Sequence, residues 1–173
     1  KHLLVYSVLY CAFRTLIPPK KILLITKQPG ILFFIGLALF ISIISAIVRI
    51  WYPIDKWVGL LGFIQSEVAH LPQYATLFFF GIIAYRKDWI LKADKRTGRI
   101  ALTLGTLLVT IRCLASVLPV FVRDILFFNW AFFESFMAVF LSWGLIIFFR
   151  EKINGTSPLA KWLSDNAYAA YIF

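Results

Sequence analysis

Polar positions in this sequence gather in clusters that separate long apolar runs. ILFFIGLALFISIISAIV, residues 31–48, contains no charged residue at all. A helix needs about 20 mainly apolar residues to cross the hydrocarbon of a bilayer, and this run predicts such a span. Further runs predict spans near 3–17, 71–87, 100–118, 125–149 and 158–173. The first opens almost at residue 1 and the last stops inside an apolar run, so both are read as truncated and the chain as part of a longer protein. Ser157 followed by Pro158 is a good start signal for the last span, and Thr97 is a candidate cap for the fourth. Between the second and third spans, Trp57, Leu61, Ile64, Val68 and Leu71 recur at four- and three-residue spacing. That stripe predicts a short amphipathic helix lying in the outer interface. The expected fold class is all-α, a polytopic transmembrane helix bundle.

Composition agrees with lipid as the solvent. The chain is 61% hydrophobic and 15% charged over 173 residues, with a mean hydropathy of +0.85. A soluble domain is usually about 45–50% apolar and about 25% charged, and one core of this size is too small a sink for the excess. The 18 basic residues outnumber the 8 acidic ones, for a net charge of +10. In a soluble protein that balance would suggest nucleic acid. Here the basic residues are divided among loops, so no nucleic-acid partner is expected. The loops near 18–30, 86–99 and 150–157 are rich in Lys and Arg, whereas the alternate ones carry only Arg49, Lys56 and Arg123. This alternation puts the rich loops in the cytoplasm of a multi-pass protein of the cell (inner) membrane. Trp51, Trp57, Trp89, Trp130 and Trp162 fall near span ends, where amphipathic rings prefer the interface.

Few residues suggest chemistry. Cys11 and Cys113 have no metal or disulfide spacing and are read as packed thiols. GxSxG, Walker, GxGxxG and HExxH patterns are absent, and no metal site is expected. Asn154-Gly155-Thr156 is a formal glycosylation acceptor, but in a loop assigned to the cytoplasm. Glu134 interrupts the apolar run FFNWAFFESFMAVFLSW, and Arg112 interrupts the preceding span. Counting helical rise from the outer side puts both roughly 10 Å deep. A lone charge at the bilayer centre costs roughly 2.5–3.5 kcal/mol on insertion scales, so such groups face a bundle interior and often each other. Glu134 and Arg112 are therefore expected to pair or to share a polar cavity open to the outside, or else to form a purely structural ion pair that fixes helix register. Glu67 and His70 lie three apart on the outer stretch, so on a helix they share a face. A carboxylate that orients an imidazole makes a general base; the plainer reading is a solvated polar face. Arg86, Lys87 and Arg99 flank the loop at 86–99, where an anionic donor would fit; ordinary topology charge explains them as well.

Several phrases together resemble the acyltransferase-3 family of integral membrane acyltransferases. LPQYATLFFFGIIAYRKDWI (residues 71–90) is similar to the family's Phe-rich helix, in which Pro and Tyr lead into an FxxGxxAYR pattern. WAFFESF (residues 130–136) and LIIFFREKINGTSPLAKWLSDNAYAAYIF (residues 145–173) resemble the family's C-terminal portion. LLVYSVLYCAFR (residues 3–14) resembles the helix after its WFL-type motif. The nearest likeness is to glucan-modifying acyl- and succinyltransferases. The resemblance implies the C-terminal half of a membrane enzyme that moves an acyl group from a cytoplasmic thioester to a hydroxyl of an extracytoplasmic glycan. It implies no bound cofactor, an acyl-CoA-type donor as substrate, and a missing N-terminal half that carries the family's catalytic His and basic motif, without which the fragment would be inactive. Glu134, Tyr74 and Arg86 are the positions that match. The rival readings are a transporter or flippase for a polar or anionic substrate, and a membrane scaffold without catalysis.

Overall fold

The computed structural model describes residues 5–8, 10–12, 28–60, 64–115, 117, 130–153, 155 and 157–172. Residues 5–8 and 10–12 are helical; the rest of the predicted span at 3–17 and the basic stretch at 18–27 lie outside the described residues. The first fully described helix, α1, is Ile31–Trp51. It ends because Pro53 follows: the residue before a proline is pushed out of the helical region, and Tyr52 sits at φ −126° and ψ 82°.

The outer stretch corrects the expected interfacial helix. It folds as an antiparallel hairpin, β1 (Trp57–Leu60) and β2 (Ile64–Glu67), with Trp57 opposite Glu67 and Leu60 opposite Ile64. Gly59 helps to explain the difference. Each Gly inside a helix costs about 1 kcal/mol relative to Ala, and Val58 and Ile64 are β-branched. A 3₁₀ turn at Val68–His70 leads straight into α2, Leu71–Arg86, with Pro72 in its first turn.

Asp88 takes a left-handed conformation (φ 54°) and reverses the chain into the short helix α3, Trp89–Lys92. Asp94 then starts α4, Lys95–Ala115. Its Oδ2 accepts the Thr97 backbone N–H at 3.3 Å, so Asp94 is the cap and Thr97 is not. α5 is Trp130–Lys152, and α6 is Pro158–Ile172. Ser157 caps α6 as expected, its Oγ accepting from Ala160 N at 3.1 Å. The predicted span at 125–149 therefore begins, among the described residues, at Trp130; positions 125–129 and Arg123 lie outside them.

α5 is the central helix, packed against α4 on one side and α1 on the other. Small residues set the closest approach. A Cβ on Gly98 would stand 2.3 Å from Ile147, and one on Gly144 would stand 2.5 Å from the backbone of Leu102. Without an apolar driving force between helices in lipid, close backbone contact of this kind is what holds spans together. The pairing runs Gly98 to Ile147 and Gly105 to Leu141, so α4 and α5 are antiparallel. Phe34 on α1 packs at a tilt against Trp143 of α5, with ring centroids 4.6 Å apart, and Phe80 of α2 and Trp89 of α3 extend this aromatic core.

Among the described residues, four helical stretches are long and apolar enough to cross a membrane: Ile31–Trp51, Val68–Arg86, Lys95–Ala115 and Trp130–Lys152. No more than 33% of any one of them is buried inside the protein. Leu32, Phe40, Ile83, Leu107 and Phe149 face outward instead. An outer surface of this kind is at home in hydrocarbon and not in water. The protein is an all-α, multi-pass membrane bundle.

Candidate functional site

The buried stripe of α1 runs Phe34, Ala38, Ile41, Ser42 and Ser45, and the next helical step along it is Arg49. The stripe faces α5, so Arg49 is carried into the bundle near the N-terminal end of that helix. There it meets Glu134, with Nη2 donating to Oε2 at 2.6 Å. The two side chains retain only 11% and 17% of their exposure. This overturns the expected pair of Glu134 with Arg112. Arg112 is at the same end of the bundle, but its guanidinium lies 5.3 Å from the ring centre of Trp130, one turn from Glu134 on α5. A cation over an aromatic face is satisfied without a carboxylate.

The 3₁₀ turn delivers the third member. His70 Nδ1 is 3.0 Å from Glu134 Oε1, and Arg49 Nη2 is 3.4 Å from the same nitrogen. Nδ1 can donate to the carboxylate or accept from the guanidinium, not both. Nδ1 faces Glu134 as a donor in one ring tautomer and accepts from Arg49 in the other. On the other side of the ring, Nε2 is 3.5 Å from Glu67 Oε2, too long for a good hydrogen bond. The expected Glu67–His70 pair thus exists, but it spans the junction between β2 and the 3₁₀ turn and not one helix face. Glu67 is held from behind, its Oε1 accepting the Asp55 backbone N–H at 2.8 Å. The Tyr74 ring is the next aromatic surface, 6.1 Å from that of His70.

Two carboxylates, a guanidinium and an imidazole therefore meet at one end of the bundle, under the hairpin. Arg49 Nε and Nη1 are buried with no hydrogen-bond partner among the described residues. Such donors can receive a negatively charged group. Among the described residues no set of three His, Cys, Asp or Glu groups is gathered to hold a metal ion.

The basic positions behave differently. Arg86 donates to the Tyr10 hydroxyl at 2.6 Å and lines a groove with Tyr10, Leu77 and Phe78. Lys87 is the C-cap of α2. Arg99 lines a separate cleft with Lys95 and Lys152. Arg86 and Arg99 thus border different cavities, and the expected single donor site at 86–99 divides in two. Arg150 is a residue that sequence reasoning passed over as loop charge. It donates to the carbonyls of Ile90 at 2.6 Å and Ala93 at 2.9 Å, and so clips α3 to the end of α5. Arg49 was hidden in the same way: its signal is the stripe of α1, on which it falls four residues after Ser45.

Fold and site together define a polytopic helical membrane protein with a half-sealed ionic cluster near one end. No family model, curated protein or solved structure matches the chain.

Proposed function

We propose that the chain is part of a membrane O-acyltransferase that moves an acyl group from a thioester donor to a hydroxyl of a glycan on the outer face. The observation that carries the reading is the imidazole of His70 lying between Glu134 at 3.0 Å and Glu67 at 3.5 Å, with Arg49 fixing Glu134. In the tautomer with the hydrogen on Nδ1, facing Glu134, Nε2 is left to accept a proton, the arrangement of a general base. In the reaction, Nε2 takes the proton of the acceptor hydroxyl. The hydroxyl oxygen bonds to the thioester carbonyl carbon, the carbon–sulfur bond breaks, and the proton ends on the departing thiolate. The unspent donors of Arg49 suit the oxyanion that forms between those two events. The cationic opposite end, where Arg86 lines a groove with Tyr10, suits an anionic CoA-type donor in the cytoplasm. The resemblance to acyltransferase-3 enzymes supports the same chemistry.

The test uses membranes holding the full-length protein, a labelled acyl-CoA and the surface glycan. His70→Gln and Glu134→Gln should each lower transfer by roughly 10²–10⁴-fold per molecule of folded protein, the usual worth of a positioned base. Undiminished transfer in both variants would remove the proposal. Saturable movement of a polar anion across the membrane without acyl transfer would replace it with the carrier reading, which the buried Arg49 also suits.

A further inference from the structure

The cleft between α4 and α5 lies at the end of the bundle opposite His70 and takes no part in the ionic cluster. It measures about 440 Å³. Gly98 and Gly144 bring the two helices together there and line the cleft. Its rim is ionic: Lys95, Arg99 and Lys152, with the carboxylate of Glu151 paired to Lys95. Its walls are apolar, with Leu102 and the partly exposed Phe148 leading down the helices into the membrane-facing surface. Arg96 and Arg99 border an adjoining hollow, so the positive rim is broader than the cleft itself.

We infer that this cleft is a binding site for an anionic phospholipid of the same leaflet. Three features argue for a lipid. The basic residues stand at a helix end, at headgroup height, and the apolar wall continues from them toward the hydrocarbon. Glu151 neutralises Lys95, so Arg99 and Lys152 remain as the cations for a phosphodiester. Basic pockets between transmembrane helices recognise anionic headgroups in this way. A free phosphate compound would use the same cations and would leave the apolar wall uncovered.

The chain is reconstituted in phosphatidylcholine nanodiscs with and without phosphatidylglycerol. The association of spin-labelled phosphatidylglycerol is measured relative to spin-labelled phosphatidylcholine. The parent chain should prefer the anionic lipid. Arg99→Gln and Lys152→Gln should each lower the preference roughly fivefold, the worth of one basic residue near an anionic headgroup. Glu151→Gln should raise it by freeing Lys95. Equal association of the two lipids, or an equal loss on Lys161→Gln at the exposed start of α6, would overturn the site. Displacement of the labelled lipid by inorganic phosphate at matched ionic strength would overturn the lipid as its occupant. The transferase reading does not enter this measurement, so either can fail without the other.

Discussion

Arg49 and Glu134 are separated by 85 positions in sequence and joined by a 2.6 Å hydrogen bond in the bundle. Removing one partner of a buried pair leaves an uncompensated charge and costs roughly 3–5 kcal/mol. Arg49→Gln and Glu134→Gln should each lower thermal stability in detergent by that order, and the double variant should recover part of the loss. Arg112→Gln should lose only the ring contact, about 0.5–1 kcal/mol, with no coupling to Glu134. A double-mutant cycle that coupled Glu134 to Arg112 and not to Arg49 would contradict the site geometry.

The glycines of the α4–α5 contact can be ranked. Gly144→Ala drives a methyl into the backbone of Leu102, which has no rotamer to yield. Overpacking of this kind costs roughly 1–3 kcal/mol. Gly36→Ala on α1 meets nothing within 4 Å and should be neutral or stabilising by a few tenths up to about 1 kcal/mol. Unfolding midpoints of the two variants give the comparison.

Arg150→Ala should loosen the α3 turn without unfolding the bundle. It removes charged hydrogen bonds to the Ile90, Leu91 and Ala93 carbonyls, each worth roughly 1.5–3 kcal/mol. Limited proteolysis in the 87–94 segment should accelerate, while the thermal midpoint moves less. Arg150→Lys should restore little, because one ammonium cannot span the carbonyls that the planar fork reaches.

The cap assignment is separable as well. Asp94→Ala should cost about 1 kcal/mol and Thr97→Ala only a few tenths, since the Asp94 side chain is the acceptor. Equal losses would return Thr97 to the role its sequence position suggested.

Sidedness is tested by cysteine labelling after Cys11 and Cys113, both exposed, are changed to Ser. Lys56→Cys near the hairpin should react with a membrane-impermeant maleimide on intact cells. Arg96→Cys should react only after permeabilisation, as the charge alternation requires. The reverse pattern would invert the topology and the proposed direction of acyl transfer.

The membrane character of the chain, the existence of four of its spans and the cap at Ser157 were legible in the sequence, because they depend on local composition. Bilayer thickness converts a run length into a helix, and a Ser-Pro pair acts within one turn. The ends of spans were less legible. The fourth begins at Lys95 and not near 100, since a charged first turn can lie in the headgroup region while the helix continues. The hairpin was misread because the apolar positions of 57–71 fit a helical stripe while the glycines among them oppose it.

The presence of Glu134, His70 and Glu67 as candidates came from single residues in unusual company. Which cation Glu134 meets is a property of the packing. Arg49 and Arg112 stand at one end of the bundle, and depth along the membrane cannot separate them. The small stripe of α1 turns Arg49 inward, and Trp130 takes Arg112. Local apolarity decided the solvent. The rotation of each helix about its own axis, set by contacts between residues far apart in the chain, decided which charges share a site.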